Sequence, residues 1–422
     1  MGAASLVELL ARTVGRQPAA EALVCGERRV TYEELWARIQ CVAGALDRVG
    51  IGQGDRVVLV ASGLADYATA CYATLAIGAI VVPLSPEAAP AEIVRRAAHC
   101  GARALVVPAR HRLRGAIAAM CPDLKILTPE SAGRARPHTR WPVADGQAPA
   151  AILYTSGTTS SPKGVTLSHA NLVANTLAIV SALRIHTGDR ALLPLPLHHA
   201  YGSSVLHTHL ASGGTVIAER GLMYPHRTVQ CLVDEGACTF AGVPWMYRVL
   251  LDRTRLIAMR DGLRTLRYVT QAGAPMPWRD VLRLTRGLPG VGFVAMYGQT
   301  EATARLTCLL PQDTRERPGS VGQPIPGVRI EIRRQDGTRA LPGEEGEVLA
   351  SGPGVMAGYW DDPAATREVI VEEPGVRWLR TGDLGVLDAD GFLYLRGRRA
   401  DLIKTGGHRV SPLEIEEVLL QC

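Results

Sequence analysis

A hydroxyl-rich stretch at 154 to 165, YTSGTTSSPKGV, has the residue types that bind a phosphate. Six of the seven residues between Tyr154 and Pro162 carry a hydroxyl group, and Lys163 follows them. Backbone amides and hydroxyls of such a loop surround an anion, and the ammonium adds a compact charge. The stretch departs from the common nucleotide motif GxxxxGK[ST], because Pro162 replaces the second glycine and Gly164 follows the lysine. We interpret it as another type of phosphate loop, with a solvated Ser/Thr/Gly turn as the alternative.

Two later stretches add a metal ligand and a ribose acceptor. In MYGQTEAT at 296 to 303, Thr300 near a predicted helix start would contact a phosphate, and Glu301 offers an oxygen ligand for Mg²⁺. The alternative is an N-cap threonine followed by a glutamate that the helix dipole favours. In WLRTGDLG at 378 to 385, Asp383 is predicted to lie in a turn, where its carboxylate would accept both hydroxyls of a ribose.

Positive charge in this chain is almost always arginine. Of the 46 basic residues, only Lys125, Lys163 and Lys404 are lysines, and the last two lie in glycine-rich segments. We interpret these two positions as ones that need a compact ammonium, with chance as the alternative. The net charge of +6 is spread without long basic runs, so we expect no nucleic-acid partner.

Short apolar runs alternate with helical patterns, which predicts the elements that position these residues. Nine runs are predicted strands: RVVLVAS, AIVVPL, ARALVV and AAILYTSG in a first series, and ALLPLPL, TVIAE, CTFAGVP, RYVTQAG and GFVAMYG in a second. Strands that alternate with helices form largely parallel sheets, so both series predict doubly wound α/β structure. After about Pro311, short strands with Pro/Gly turns predict a small antiparallel or barrel-like subdomain.

Composition restricts the class of protein further. Hydrophobic residues make up 47% of the 422 residues and charged residues 20%, the balance of a globular enzyme with a sizeable core. The nine cysteines form no CxxC pair, so neither a disulfide framework nor a zinc site is indicated. The start, MGAASLVELLARTVGR, is predicted to be a helix, and ATACYATLAIGAIVVPL a buried helix followed by a strand and not a membrane span. We therefore expect a cytoplasmic protein.

Six motifs, in order, resemble the core motifs of the adenylate-forming superfamily of acyl-CoA synthetases, adenylation domains and luciferases. They are YTSGTTSSPKGV, LPLHHAYG, QAGAPMP, YGQTE, RTGDLG and GRRADLIKTGGHRVSPLEIEEVL. The resemblance extends from TYEEL at 31 to the last residues. It implies an α/β fold with an AMP-binding N-terminal domain over residues 1–396 and a hinge with the start of a C-terminal domain at 397–422. The N-terminal domain would contain two doubly wound subdomains, roughly 1–185 and 186–310, and a distorted β-barrel at 311–396.

The resemblance also implies a reaction, in which a carboxylic acid attacks the α-phosphorus of ATP and the acyl group then passes to coenzyme A or a carrier-protein thiol. It places these residues at ATP: Thr155, Ser156, Gly157, Thr158, Thr159 and Lys163 at the pyrophosphate, Thr300 at the α-phosphate, Glu301 at Mg²⁺, Asp383 and Arg398 at the ribose, and Gly273, Ala274, Pro275, Tyr297 and Gly298 around the adenine. Without the motif, Arg398 would be interpreted as a surface arginine.

The acid substrate is predicted from LHHAYGSS at 197 to 204. In amino-acid-activating relatives the position of Ala200 carries an aspartate for the α-ammonium group, so the resemblance implies a neutral fatty or aryl acid. His199 and Tyr201 match the HxY pattern of acyl- and aryl-CoA synthetases, and Gly202 completes the predicted acid site. The alternative for His199 is a core histidine with a backbone partner. His207 and His209 receive no role.

Two departures from the family pattern concern the end of the sequence. Relatives carry an acidic or lysine hinge two residues after the ribose arginine, whereas this chain has Ala400. Arg398 also lies close to the last residue, so we expect the mobile C-terminal domain, with its late catalytic lysine, to be almost entirely missing. Lys404 belongs instead to the early IKTGG loop, which relatives use at thiol transfer. The final SPLEIEEVLLQC is predicted to begin a helix with a capping box of Ser411 and Glu414.

Three interpretations therefore stand side by side. The first is an AMP-forming ligase that joins a fatty or aryl acid to coenzyme A or a carrier-protein thiol, with ATP and Mg²⁺. The second is a catalytically impaired module that binds a nucleotide or an acyl-adenylate. The third is an unrelated phosphate-loop kinase, which Pro162 and Gly164 disfavour.

Overall fold

The computed structural model describes most of the chain. The described residues are 3–61, 63–111, 113–132, 135–139, 141–142, 145–155, 163–219 and 222–399, together with the backbone of two short strands between 403 and 410. Their contacts divide the chain into two compact units. Unit 1 contains residues 1–221 and 356–363, and unit 2 contains residues 222–355 and 364–422.

The helices of the described residues follow in chain order. They are α1 (Leu6–Arg16), α2 (Tyr32–Arg48), α3 (Leu64–Ala76), α4 (Pro90–His99), α5 (Arg114–Met120), α6 (Pro129–Ala132), α7 (His169–Leu183), α8 (Ala200–Ser212), α9 (Pro225–Asp234), α10 (Pro244–Arg253), α11 (Trp278–Gly287) and α12 (Pro363–Val369). Two short 3₁₀ turns, Arg260–Gly262 and Thr300–Ala302, lie in unit 2.

The strands of the described residues are numbered in the same way. They are β1 (Glu21–Cys25), β2 (Arg28–Thr31), β3 (Arg56–Leu59), β4 (Ile80–Pro83), β5 (Ala104–Val106), β6 (Lys125–Leu127), β7 (Pro149–Thr155), β8 (Lys163–Ser168), β9 (Arg190–Leu193), β10 (Thr215–Ala218), β11 (Thr239–Gly242), β12 (Tyr268–Gln271), β13 (Gly292–Tyr297), β14 (Thr307–Leu309), β15 (Ser320–Pro324), β16 (Arg329–Arg333), β17 (Glu345–Ser351), β18 (Gly358–Tyr359), β19 (Ile370–Glu373), β20 (Val376–Leu387), β21 (Leu393–Arg398), β22 (Ile403–Thr405) and β23 (His408–Val410). All nine predicted strands are present among them.

Unit 1 contains two sheets. The larger one has the order β18-β8-β7-β4-β3-β5-β6, with a parallel centre and an antiparallel edge formed by β7, β8 and β18. In the other, β9, β10 and β1 are parallel, and β2 pairs antiparallel with β1. The core of the larger sheet is built mainly from Val, Ile and Leu side chains, among them Val58, Val82, Leu105 and Ile152, which are fully buried.

Local sequence rules explain where the helices of unit 1 begin. Helix α2 starts with a capping box, because the Glu34 N–H donates to the Thr31 hydroxyl and the Glu34 carboxylate accepts from the Thr31 N–H. Helix α3 is predominantly apolar and is buried around its whole circumference, since every residue of it except Asp66 is buried. This confirms the prediction of a buried helix followed by strand β4. Among the described residues, no helix is long and apolar enough to cross a membrane.

Unit 2 changes character along its length, as predicted. Strands β11, β12 and β13 are parallel and alternate with α10 and α11. From β14 onward the pairing is antiparallel, in the order β14-β15-β21-β20-β17-β16, with β19 on β20. This arrangement confirms the predicted α/β fold class with a β-rich subdomain. The subdomain boundaries at 185 and 310 stay predictions.

Candidate active site

The two ends of the predicted phosphate loop are joined by an antiparallel hairpin in unit 1. Thr155 ends β7 directly opposite Lys163, the first residue of β8, and Tyr154 pairs with Gly164. From sequence, the loop follows the apolar run AAILY and precedes the helical pattern SHANLVANTLAIV, which predicts a connection from a strand directly to a helix. This prediction is wrong, because KGVTLS pairs as a strand with β7 and helix α7 begins only after it. Outside the described residues lie Ser156, Gly157, Thr158 and Thr159.

Lys163 and Gly164 are fixed against strand β18. The Lys163 ammonium lies 5.1 Å from the ring centroid of Tyr359, which is a cation–π contact. The Gly164 carbonyl accepts a hydrogen bond of 2.7 Å from the Trp360 N–H. A Cβ at position 164 would lie 2.8 Å from Cγ2 of Ile152. Close packing thus favours a glycine after the lysine, which is one of the two features that separate this loop from the common nucleotide motif.

Sequence reasoning missed a polar cluster that holds the end of β7 to helix α4. The Tyr154 hydroxyl donates to the Arg96 carbonyl at 3.2 Å and lies 2.8 Å from Nδ1 of His99. The Arg96 guanidinium lies 5.3 Å from the centroid of the Tyr154 ring. Burial raises the pKa of Tyr154, so the hydroxyl stays protonated. No local signal links a residue of α4 to one of β7, because the two are far apart in sequence.

The predicted acid segment is the start of helix α8 in unit 1. His199 is the N-cap residue, and its carbonyl accepts from the Ser203 N–H at 3.0 Å. Gly202 lies so close to the preceding turn that a Cβ there would be 2.3 Å from the Pro196 carbonyl oxygen. The side chain of His199 is exposed, so the alternative of a core histidine is wrong. Ala200 and Tyr201 are half-buried on the first turn of the helix.

Three histidines of this region, His198, His199 and His207, have lowered pKa values and are mainly neutral at pH 7. The rings of His198 and His199 lie 4.2 Å apart, and burial lowers the pKa of His198 to about 4, with smaller effects from His199 and Arg96. Desolvation by surrounding protein atoms also lowers the pKa of the exposed His199. His207 is buried in the core, with Nδ1 3.1 Å from the Tyr72 hydroxyl, and burial lowers its pKa to about 4. His207 is thus a structural residue.

We expect the protein to lose stability as the pH falls from the unfolded-state pKa of histidine, about 6.5, towards about 4. In this window the unfolded chain binds a proton at His207 that the folded chain does not, because burial lowers its folded pKa to about 4. His207 alone lowers the free energy of unfolding by about 1.4 kcal/mol for each pH unit within this range, and it has no effect above pH about 6.5. Urea unfolding across this range measures it.

The matched pair for this prediction is His207→Gln and His226→Gln, since His226 is exposed. In His207→Gln, the slope of the unfolding free energy against pH should decrease by nearly the amount that one bound proton contributes. In His226→Gln, the slope should remain as in the wild type. Equal slopes in all three proteins would contradict the assignment.

In unit 2, Asp383 is the centre of a buried hydrogen-bonded group. Its Oδ2 accepts from the Tyr297 hydroxyl at 2.6 Å, and its Oδ1 lies 3.2 Å from Nε of Arg398. Asp383 and Tyr297 are each 7% exposed, whereas 64% of the Arg398 side chain is exposed. Burial, and next the charge of Asp383, raise the pKa of Tyr297, so Tyr297 stays a donor. The structure therefore brings together three residues that were predicted for one nucleoside site.

Asp383 lies in strand β20 and not in a turn, which corrects the prediction. The register of β20 against β17 shifts between Glu347 and Leu349, so Thr381, Gly382 and Asp383 bulge opposite Val348. Gly382 has φ +75°, a conformation that glycine adopts readily, and the Thr381 hydroxyl donates to the Val348 carbonyl at 2.7 Å. Bulges redirect side chains within a sheet. The RTGD sequence thus forms a bulge that presents Asp383 directly across from Arg398.

The predicted adenine residues lie where two neighbouring parallel strands end. Gly273, Ala274 and Pro275 follow β12 and are exposed. Tyr297 ends the adjacent β13, and Gly298 follows it. The carboxyl ends of parallel strands share one edge of the sheet, the usual place for a ligand in such folds. The Gln271 amide donates to the Ala274 carbonyl at 2.5 Å, which fixes the turn after β12.

Thr300 and Glu301 lie on a short turn, and no α-helix follows them. The segment Thr300–Ala302 is a single 3₁₀ turn that ends at Thr303, so the predicted helix start is wrong. Thr303, the residue after the turn, has a positive φ, and the chain then continues into β14. Glu301 is half-buried. One carboxylate of this kind suits Mg²⁺, which proteins commonly bind through one or two carboxylates plus substrate phosphates.

Three further predictions concern residues whose side chains the structure does not describe: the Lys404 loop, the hinge position and the final capping box. Lys404 lies in β22, of which only the backbone is described, and Ala400, Ser411 and Glu414 lie outside the described residues.

A cleft of about 660 Å³ on the β-rich part of unit 2 is lined by charged side chains. Its carboxylate Glu347 accepts from both Arg380 and Arg399, at 2.6 and 3.3 Å. Arg333 pairs with Glu373 at 2.5 and 2.9 Å. These arginines are balanced by carboxylates, which indicates a structural ion-pair network.

Comparison with known proteins gives concordant matches over nearly the whole chain. A family model described as AMP-binding enzyme matches residues 10–360. The chain is 32% identical to a feruloyl-CoA synthase from Amycolatopsis sp over 97% of its own length and 81% of the relative. It is 30% identical to a fatty acid–[acyl-carrier-protein] ligase from Streptomyces coeruleorubidus, over 98% of this chain and 81% of that protein.

A solved structure matches equally well. The o-succinylbenzoate coenzyme A synthetase of Bacillus subtilis, in complex with ATP and magnesium ion, superposes with a TM-score of 0.87 at 27% identity. The match covers 98% of this chain and 84% of that structure.

Proposed function

Since the chain belongs to the family of AMP-binding enzymes, we propose that it joins a neutral, hydrophobic carboxylic acid to a thiol in two steps. In the first, a carboxylate oxygen bonds to the α-phosphorus of ATP and the bond to pyrophosphate breaks. In the second, the thiol of coenzyme A or of a carrier protein attacks the acyl-adenylate, releases AMP and gives up its proton. The relatives that act on feruloyl and fatty acyl groups support this class of acid.

The observation that carries the proposal is the Tyr297, Asp383 and Arg398 group in unit 2. A buried carboxylate is the natural acceptor for the two ribose hydroxyls, because hydrogen bonds to a charged group are stronger than neutral ones. Tyr297 donates to one carboxylate oxygen and holds the group in place, while Nε of Arg398 lies 3.2 Å from the other oxygen. In this assignment the ring of Tyr297 borders the adenine.

The phosphates are assigned to Thr300, Glu301 and Lys163. In unit 2, the Thr300 hydroxyl would donate to the α-phosphate and the Glu301 carboxylate would hold Mg²⁺. In unit 1, the Lys163 ammonium would bind the pyrophosphate. Bound Mg²⁺ supplies charge neutralisation on the pyrophosphate oxygens. Fixed positive groups matter because charge moves onto the leaving group in the transition state.

The acid is assigned to the start of helix α8. The first turn carries His199, Ala200, Tyr201 and Gly202, and no carboxylate lies among them. A neutral His199 hydrogen-bonds to a carboxylate without adding a charge, and Ala200 leaves an α-ammonium group without a partner.

We expect a hydrophobic acyl-sulfamoyl adenosine to bind at least about tenfold more tightly than its α-amino counterpart, because the ammonium loses water without gaining a partner. Titration calorimetry with an aryl-propenoyl analogue and the matching amino analogue measures the ratio. Ala200→Asp should narrow or invert this preference, whereas Ala211→Asp, at the far end of α8, should not. Tighter binding of the amino analogue by the wild-type protein would contradict the assignment of the acid class.

A further inference from the structure

Thr303, directly after the Thr300–Ala302 turn, has a strained backbone. Its φ is +68° and its ψ is −60°. A β-branched residue rarely adopts positive φ, because its Cβ meets the backbone there. The Ala304 N–H donates to the Ala302 carbonyl at 2.8 Å, so Thr303 is the central residue of a γ-turn of the rare, strained hand.

Two contacts of Thr303 hold this conformation. Its hydroxyl donates to the Gly354 carbonyl at 2.7 Å, and its N–H donates to the Thr300 carbonyl at 2.9 Å. The residue is 7% exposed, so the first hydrogen bond is shielded from water. The hydroxyl therefore ties the turn to the loop that precedes residue 356, and the N–H closes the turn itself.

The chain on either side of the turn is also fixed. A Cβ at Gly298 would lie 2.0 Å from the Ala304 carbonyl oxygen, so the strand end and the γ-turn are in direct backbone contact. The Leu306 N–H donates to the Tyr297 carbonyl at 2.8 Å. Residues 297 to 306 thus form a closed loop. Its tip carries Thr300 and Glu301, and Thr303 is its side-chain anchor to Gly354.

We propose that Thr303 is a positioning residue: its hydroxyl, bonded to Gly354, fixes the strained turn that sets where the Glu301 carboxylate meets Mg²⁺. The inference rests on the proposed function, because it concerns the metal that accompanies ATP. Mg²⁺ requires nearly ideal octahedral geometry at about 2.0–2.1 Å, so a small shift of the turn weakens the site. Functional sites commonly contain a strained backbone conformation that surrounding contacts maintain, and the strained residue then positions a functional group.

The test measures how many-fold Mg²⁺ raises ATP affinity, by titration calorimetry with Mg²⁺ and with EDTA. Thr303→Val keeps the branched shape and removes the hydroxyl, and it should lower this factor about tenfold. Thr303→Ser keeps the hydroxyl and should restore most of it. Glu301→Gln should lower the factor as well, and the double variant should lose less than the sum of the two losses, because both act on one ligand.

A fourth variant separates positioning from folding. Thr303→Gly adopts positive φ without strain, so it should melt at a higher temperature than Thr303→Val while losing the Mg²⁺ effect to the same extent. The inference would be overturned if Thr303→Val and Thr303→Gly kept the wild-type Mg²⁺ factor. It would also be overturned if their affinity for ATP without Mg²⁺ fell as much as their affinity for ATP with Mg²⁺. A wild-type protein that binds no ATP under either condition would instead overturn the proposed function, and the inference with it.

Discussion

Asp383→Ala is expected to lower the affinity for AMP about a hundredfold. A hydrogen bond to a charged group contributes about 1.5–3 kcal/mol, and the two ribose hydroxyls lose their shared acceptor. The substitution also leaves the buried Tyr297 hydroxyl without the partner it has at 2.6 Å. Titration calorimetry gives the affinity directly. Thermal shift gives a second reading, since a ligand at 100 times its Kd adds about 2.7 kcal/mol to the stability of a protein that binds it.

The matched control is Asp390→Ala. Asp390 is an exposed carboxylate beside strand β21 that pairs with Arg317, away from the buried group. Its removal should leave AMP affinity unchanged and stability within about 1 kcal/mol, as for other exposed ion pairs. If Asp383→Ala binds AMP as tightly as Asp390→Ala does, Asp383 is not the ribose acceptor.

Gly202→Ala is expected to destabilise the protein by about 2–3 kcal/mol and to weaken binding of an acyl-sulfamoyl adenosine. The added Cβ would lie 2.3 Å from the Pro196 carbonyl oxygen and 2.9 Å from its carbon, so the start of α8 must shift away from the preceding turn. Because His199 and Ala200 are on that turn of the helix, the acid site shifts with it.

Gly15→Ala is the control for this substitution. Gly15 lies within α1, and a Cβ there has no neighbour within 4 Å. This change should stabilise the protein by about 0.5–1 kcal/mol, because alanine loses less entropy in a helix than glycine. Urea unfolding measures both variants. A Gly202→Ala protein as stable as the wild type would show that the close approach to Pro196 has no energetic consequence.

The sequence predicted the apolar strands of this structure but not the partly polar strand β8. The nine apolar runs became strands because a run of Val, Ile and Leu between turns has few other ways to be buried, as RVVLVAS and AIVVPL show in the core of unit 1. Strand β8 was missed because KGVTLS is half polar, and only its pairing with β7 makes it a strand. Tertiary pairing of this kind leaves no local signal.

The candidate site shows the same division. The motifs predicted Asp383 and Arg398 at the ribose and Tyr297 at the adenine of one nucleotide, and the structure places Asp383 in contact with both of the others. They did not predict the bulge that presents Asp383, because an Arg-Thr-Gly-Asp sequence fits a turn equally well. Thr303 was missed altogether, since its role depends on a backbone angle and on a partner 51 positions away in sequence. Strain and long-range partners become visible only in three dimensions.

Direct detection of an acyl-adenylate is the most direct test of the central claim, that the chain activates a neutral carboxylic acid with ATP. The protein is incubated in excess over ATP with Mg²⁺ and one acid at a time, and the quenched reaction is analysed by mass spectrometry. The account predicts an adenylate with aryl-propenoic or fatty acids, none with the matching α-amino acids, and loss of the product in Asp383→Ala. An ATP-binding protein that forms no adenylate with any of these acids, or forms it with the amino acids instead, would contradict the account.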